Sequence, residues 1–323
     1  MQPAFPRRVF IVANPGDRYA SPVHRENTAR PPARRSVLAL VAAAGAAVLA
    51  ACGVRREPGA AAAPPRRYRY GDDPSQFTDL YLPPGGTAVR GVVVIIHGGY
   101  WRSTYGAELG VPLARDLAPR GYACWNLEYR RAGNGGGWPE TFDDVAAGID
   151  HLAVAAAEHG LDLGATTALG HSAGGHLAVW AAGRPTLPPG APGAGAPVVP
   201  FAAVVSQAGV LDLAQARALG LSDDAVENLL GAPGDPDRYA LADPMTAIPL
   251  AVPVYAVHGT EDTTVPPAQS EAYVAAASAA GATAELVCVP GDHFAVITPG
   301  SEAWAAVLAR LEQASDPGPP GQG

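Results

Sequence analysis

Apolar residues run almost without interruption through six short stretches of the chain. They are Gly91–Gly99 (GVVVIIHGG), Gly121–Tyr129 (GYACWNLEY), Thr166–Ser172 (TTALGHS), Phe201–Gly209 (FAAVVSQAG), the segment from Pro253 (PVYAVHG) and Thr283–Gly291 (TAELVCVPG). A strand with one face in water alternates apolar and polar positions; these do not. They predict strands of a parallel sheet covered on both faces. Ala-rich stretches of helical character separate them: LGVPLARDLAPR, TFDDVAAGIDHLAVAAAEHG, AGGHLAVWAAG and AQSEAYVAAASAAG. That alternation predicts an α/β fold with an open, doubly wound, mostly parallel sheet and helices on both faces. Upstream, YRYGDD and FTDLYLP predict an antiparallel edge hairpin. Residues 210–250 stand where one crossover would suffice and predict a small lid insertion that sets the size of a pocket.

Both ends depart from this pattern. Val37–Ala51 (VLALVAAAGAAVLAA) follows Arg34-Arg35, is short for a membrane span and matches the apolar core of an export signal. It runs into Leu49-Ala50-Ala51-Cys52, which resembles a bacterial lipoprotein box, and the resemblance implies lipidation of Cys52 as the mature N-terminus. The expected location is therefore the outer face of the cell membrane, with a secreted soluble protein as the alternative. Both Sec and twin-arginine export stay open. Because 36 residues precede the apolar run, Val23 is a candidate alternative start. Ala-, Pro- and Arg-rich residues 52–67 read as a disordered tether and 314–323 as a disordered tail. One α/β domain, 68–313, lies between them.

Charge sharpens that division. Residues 1–69 carry 12 of the 22 basic residues and three of the 30 acids, so 70–323 carry ten Arg against 27 acids, a formal −17. An acidic body repels nucleic acid. The eight His are dispersed, no HExxH or CxxC occurs and no dinucleotide fingerprint is present, so no metal and no cofactor are expected. Cys124 and Cys288 fall in separate predicted strands and read as buried thiols.

Chemistry concentrates where strands end. Gly170-His171-Ser172-Ala173-Gly174 is G-x-S-x-G between a strand and a helix, where Gly170 and Gly174 permit a turn tight enough to expose the Ser172 hydroxyl. A serine hydroxyl needs a base to take its proton and an acid to orient that base. Asp262 and His293 follow the next-to-last and last predicted strands, in the chain order Ser, Asp, His. His97-Gly98-Gly99-Tyr100-Trp101 follows the first core strand and suits an oxyanion loop. Its Gly99 or Tyr100 N–H would act with the N–H of Ala173, and Gly98 would serve the turn. Glu261 competes with Asp262 as the acid. His97 and His258 read as turn-packing residues, His171 and His176 as neighbours of the nucleophile, and Asp143 and Asp144 as acids favouring a helix N-terminus. Tyr100, Trp101, Tyr239 and Met245 are candidate pocket walls.

From about Tyr68 to Leu311 the chain resembles the α/β-hydrolase superfamily. HGGYW and GHSAGGHLA resemble its branch of kynurenine formamidases and small esterases of the hormone-sensitive-lipase type. EYRRAGNGGGWPETFDDV corresponds to a segment of that branch, while Tyr100 stands where hormone-sensitive lipases carry a third glycine. The resemblance implies Ser172, Asp262 and His293 as a catalytic triad with the His97 loop as oxyanion hole, acting on a small-molecule ester or amide through an acyl-enzyme. Aryl-formamide hydrolysis and exopeptidase activity remain alternatives, as does a surface-anchored binding protein without turnover. The oligomeric state is open.

Overall fold

The computed structural model describes residues 63–315 except 86, 232 and 233. The expected export segment, Cys52 and the expected tail beyond Ser315 lie outside the described residues. A chain-entry hairpin, β1 (Arg66–Arg69) and β2 (Phe77–Tyr81), pairs antiparallel and adds β2 to β4 (Tyr122–Leu127). From there the sheet is parallel: β3 (Gly91–Ile96), β5 (Thr166–His171), β6 (Ala203–Gln207), β7 (Val254–Gly259) and β8 (Ala284–Val289). The spatial order is β1-β2-β4-β3-β5-β6-β7-β8. Each of the six apolar runs thus became a strand, and β1 starts two residues inside the expected tether.

β3 shows why its apolar residues do not alternate with polar ones. Val92, Val94 and Ile96 join one core, together with Phe142, Val145, Leu177 and Tyr273, while Val93 and Ile95 join a second core with Leu117, Trp304 and Leu311. Both faces are dry, so both sets must be apolar. The first face carries α2 (Glu140–Asp150), α3 (Leu152–His159), α4 (Ala173–Ala182) and α8 (Ala268–Ala279). The second carries α1 (Val111–Leu117) and α9 (Glu302–Ser315). α9 was not evident from the apolar runs. Its buried Trp304, Val307 and Leu311 recur at helical spacing along one face, with Glu302, Glu312 and Gln313 exposed at its ends.

Residues 210–250 form a helical insertion with α5 (Leu213–Ala218), α6 (Ala225–Leu230) and α7 (Pro236–Ala242). Two expectations are corrected. Cys288 is exposed, because β8 is an edge strand; Cys124, on β4, is buried, and both thiols are free. Asp144 is not a helix-dipole acid. It is buried and takes two hydrogen bonds from the Arg130 guanidinium, a third from the Arg130 N–H and a fourth from Gln76, while Asp143 accepts from the Gly193 N–H. Among the described residues no helix is long and apolar enough to cross a membrane.

Candidate active site

The Ser172 turn follows from two glycines. A Cβ at Gly170 would stand 2.1 Å from the Gly174 carbonyl oxygen, and one at Gly174 would stand 2.0 Å from the Ile96 carbonyl oxygen at the end of β3. No side chain fits at either place. Between them Ser172 takes φ 55° and ψ −119°, outside the regions that L-residues favour, and its N–H donates to the Gln207 carbonyl on neighbouring β6 at 2.8 Å. The strained turn therefore holds Ser172 at the carboxyl end of β5, above the sheet.

Asp262 and His293 meet where the loops after β7 and β8 touch. Gly259 ends β7, and a Cβ there would lie 2.4 Å from the Gly291 carbonyl oxygen, so its absence lets the two following loops touch. His293 Nδ1 donates to Asp262 Oδ2 at 2.6 Å, which leaves Nε2 without a hydrogen bond among the described residues. Asp262 Oδ1 takes the N–H groups of Thr264 and Val265 at 2.8 and 2.9 Å. Burial alone would raise the Asp262 pKa; hydrogen bonds from His258 and His293 and from the Val265 amide outweigh it and hold the carboxylate well below the usual range. Glu261, by contrast, is exposed. The sequence reading treated His258 as turn packing and missed its contact with Asp262, Nε2 to Oδ2 at 3.2 Å. Its spacing of four residues from the acid was the available signal.

The β3 loop forms the opposite wall. Gly98 packs so closely that a Cβ would sit 2.7 Å from the His171 carbonyl oxygen, and Gly99, Tyr100 and Trp101 follow with φ of 111°, 50° and 55°. Among the described residues the amides of Gly99, Tyr100 and Ala173 have no acceptor. His97 anchors the loop. Its ring stacks on Tyr129 at 4.4 Å, Nδ1 donates to the Gly98 carbonyl at 2.8 Å, and Tyr129 Oη donates to the His97 carbonyl. Burial, reinforced by the Arg131 charge, pushes its pKa down to about 3. Tyr100 Oη donates to the Thr264 carbonyl at 2.7 Å, and burial beside Asp262 pushes that phenol up to about 12.

Ser172 and His293 share an apolar cavity of about 200 Å³ with Tyr100, Tyr105, Phe294 and Ile297. Of the four proposed walls only Tyr100 lines it. Trp101 is fully buried, its indole N–H donating to His176 Nδ1, while Tyr239 and Met245 pack against the core away from the cavity. No residue of the insertion lines it either. The insertion instead grips the back of the β3 loop: His176 Nε2 donates to the Ala242 carbonyl at the end of α7, and the Arg102 guanidinium donates to the carbonyls of Ser222 and Asp223. His171, read as a bystander, also lines the cavity. Its ring lies 4.6 Å from that of His293, Nε2 donates to the His293 carbonyl, and burial next to His293 depresses its pKa to about 3. No cluster suited to a metal ion occurs among the described residues.

Known proteins resemble this chain over the same region. Esterase LipQ of Mycobacterium tuberculosis is 30% identical over 223 residues, which are 66% of this chain and 52% of that protein. The isoprenylcysteine alpha-carbonyl methylesterase ICME of Arabidopsis thaliana is 29% identical over 69% of this chain and 54% of its own length. The chain thus spans about half the length of these curated relatives. The crystal structure of esterase B from Lactobacillus rhamnosis superposes with a TM-score of 0.66 at 25% identity, covering 78% of this chain and 87% of that one. A truncated carbohydrate esterase from gut microbiota superposes with a TM-score of 0.64 at 23% identity, over 79% and 98%. The family model BD-FAE matches residues 78–276, from the second strand of the entry hairpin through the nucleophile turn and Asp262 into α8. Sheet order, serine turn and this match agree: the chain belongs to the BD-FAE family, within the α/β-hydrolase superfamily.

Proposed function

We propose that this protein is a serine hydrolase of small esters, with Ser172 as nucleophile, His293 as general base and Asp262 as the orienting acid. One observation carries the reading. Ser172, on a strained turn, and His293, whose far nitrogen is fixed on a buried carboxylate at 2.6 Å, open onto the same apolar cavity. Ser172 Oγ attacks the ester carbonyl as His293 Nε2 takes its proton, and the oxyanion collects N–H donors from Gly99 or Tyr100 and from Ala173. Collapse of the tetrahedral intermediate breaks the bond to the alcohol, which leaves with the proton from His293. Water then hydrolyses the acyl-enzyme by the same route and regenerates Ser172.

A cavity of about 200 Å³ is smaller than pockets for drug-sized ligands and favours a short acyl group. Ester chemistry is also what the names of the similar proteins describe. An aryl formamide is the second reading. A formyl group needs little acyl space, and the half-exposed Tyr105 and Phe294 at the cavity offer aromatic surface to the leaving amine. Turnover of p-nitrophenyl esters, N-formyl-kynurenine and aminoacyl anilides separates ester, formamide and peptide chemistry. Labelling of Ser172 by a fluorophosphonate separates all three from a binding protein. In the full chain, Ser172→Ala is expected to abolish labelling and lower ester turnover by roughly 10⁴ or more; a folded variant keeping a tenth of the rate would defeat the assignment. Export and acylation at Cys52 complete the proposal and rest on the sequence between Arg34 and Cys52. Mass spectrometry of the N-terminal peptide from membrane fractions tests them, an unmodified Cys52 being the adverse result.

A further inference from the structure

Behind the acid stands a group that the proposed reaction does not yet use. His258 is the fifth residue of β7, fully buried, four residues before Asp262. Its Nε2 lies 2.9 Å from the Val265 carbonyl oxygen and 3.2 Å from Asp262 Oδ2. A carbonyl oxygen only accepts, so Nε2 carries a hydrogen and faces both oxygens with it. Nδ1 lies 2.8 Å from the hydroxyl of Ser270, itself buried on α8, which supplies a donor and so fixes the same tautomer. Asp262 then receives four donors: two amides on Oδ1, and His293 and His258 on Oδ2.

Packing alone explains His258 poorly. A buried imidazole satisfied by Ser270 and Val265 has no need to approach a carboxylate oxygen that already serves His293. We infer that His258, held by Ser270, is a positioning residue of the hydrolytic site, sharing Oδ2 of Asp262 with His293 and fixing the plane in which that carboxylate meets the catalytic imidazole. The inference rests on the proposed triad. Two amides hold Oδ1, and on Oδ2 the His258 N–H adds a second donor beside that of His293, so the carboxylate keeps its orientation even as the His293 ring moves. By donating to Oδ2 it also draws charge from the oxygen that faces His293. The other ionisable groups facing this pair are His171 at the end of β5, kept neutral by burial, and Tyr100 in the β3 loop; Asp292, next to His293 in the chain, is exposed and turns its carboxylate to the Phe294 and Ala295 amides.

The test compares full-length His258→Leu, His258→Gln and Ser270→Ala in ester hydrolysis across pH. Leucine keeps bulk and loses the donor; glutamine keeps an N–H near the Nε2 position. The expected result for leucine is a fall in kcat of about tenfold to a hundredfold with KM unchanged. The acid limb of kcat/KM should also move up by about half a pH unit, since Asp262 regains charge and stabilises the His293 imidazolium. Glutamine should restore most of kcat and return the limb. Ser270→Ala should lose a few-fold in kcat, and it decides the matter should the leucine variant not fold. An unchanged kcat and acid limb in a folded leucine or Ser270→Ala variant overturns the inference. So does a loss that glutamine fails to rescue and that leaves the limb in place, which marks packing. Ser172 labelling in the parent protein reports on the triad separately: failure there removes the proposed function, whereas intact labelling with an indifferent His258 removes only this inference.

Discussion

The two walls of the cavity are built by different means. On the side of the proposed acid and base, Asp262 is held by partners two, three and four residues away, Thr264, Val265 and His258, before His293 arrives from 31 residues on. On the oxyanion side, the β3 loop is held by Tyr129, His176, Ser222 and Thr264, which lie 32, 75, 120 and 164 residues from their partners. A turn that closes on its own neighbours is specified by a few adjacent residues. A loop with consecutive left-handed residues at Gly99, Tyr100 and Trp101 needs tertiary contacts to over-determine it. Chemistry is therefore concentrated on one wall and geometry is imported onto the other.

Several substitutions break this contrast, the most severe on the acid–base side. Asp262→Asn leaves shape intact but lets His293 take the wrong tautomer, and ester turnover is expected to fall about 10⁴-fold in steady-state assays. On the opposite wall, Gly98→Ala puts a methyl group 2.7 Å from the His171 carbonyl oxygen and displaces the amides that follow. The expected loss is about 10²- to 10³-fold in kcat, as for one oxyanion donor, with Ser172 labelling slowed in parallel. Trp101→Phe removes the indole N–H from His176 while keeping the ring in the core, so the loop loosens without collapsing. A tenfold fall in kcat, about 1.4 kcal/mol, is expected at little cost in melting temperature; an equal loss of stability would show that the indole serves the core alone.

Acid should also distinguish the walls. His97, His171 and His176 are buried, and burial first, then nearby positive charge at His97 and His171, lowers their pKa values to about 3, 3 and 4. Their folded values lie below the 6.5 of the unfolded chain, so the unfolded state binds more protons between those limits. This stability is complete above about 6.5 and is lost as pH falls towards 4, at about 1.4 kcal/mol per pH unit for each histidine. Thermal denaturation between pH 7 and pH 4 should show it, and His176→Gln should remove about a third of that slope. A melting temperature flat over this window would mean these rings are charged or hydrated in the folded protein. The smallest change is expected at the cavity floor: Ile297→Ala should lengthen the preferred acyl chain and move relative kcat/KM by a few-fold, within the value of one or two methylenes.

By itself the sequence determined the sheet and which side chains stand at its strand ends. Uninterrupted apolar runs suit strands dry on both faces, as Val92 through Ile96 are, and the serine between Gly170 and Gly174 sits in a turn closed to side chains. Asp262 and His293 were legible because each follows such a run at once. Tertiary structure decided what those residues face. Trp101, Tyr239 and Met245 have pocket-wall chemistry yet turn into the core, since an aromatic or thioether side chain suits either place and only its neighbours choose. Cys288 is exposed because strand order, not strand composition, put β8 at the edge. α9 was missed although Trp304, Val307 and Leu311 recur at helical spacing along one face, because it is the burial of that face against the sheet that sets it apart. His258 reads as one more histidine beside a glycine until β7, α8 and the Asp262 turn close around it. Local pattern encodes what a segment becomes; hydrogen bonds between distant segments, whose partners no spacing reveals, fix which groups share a charge.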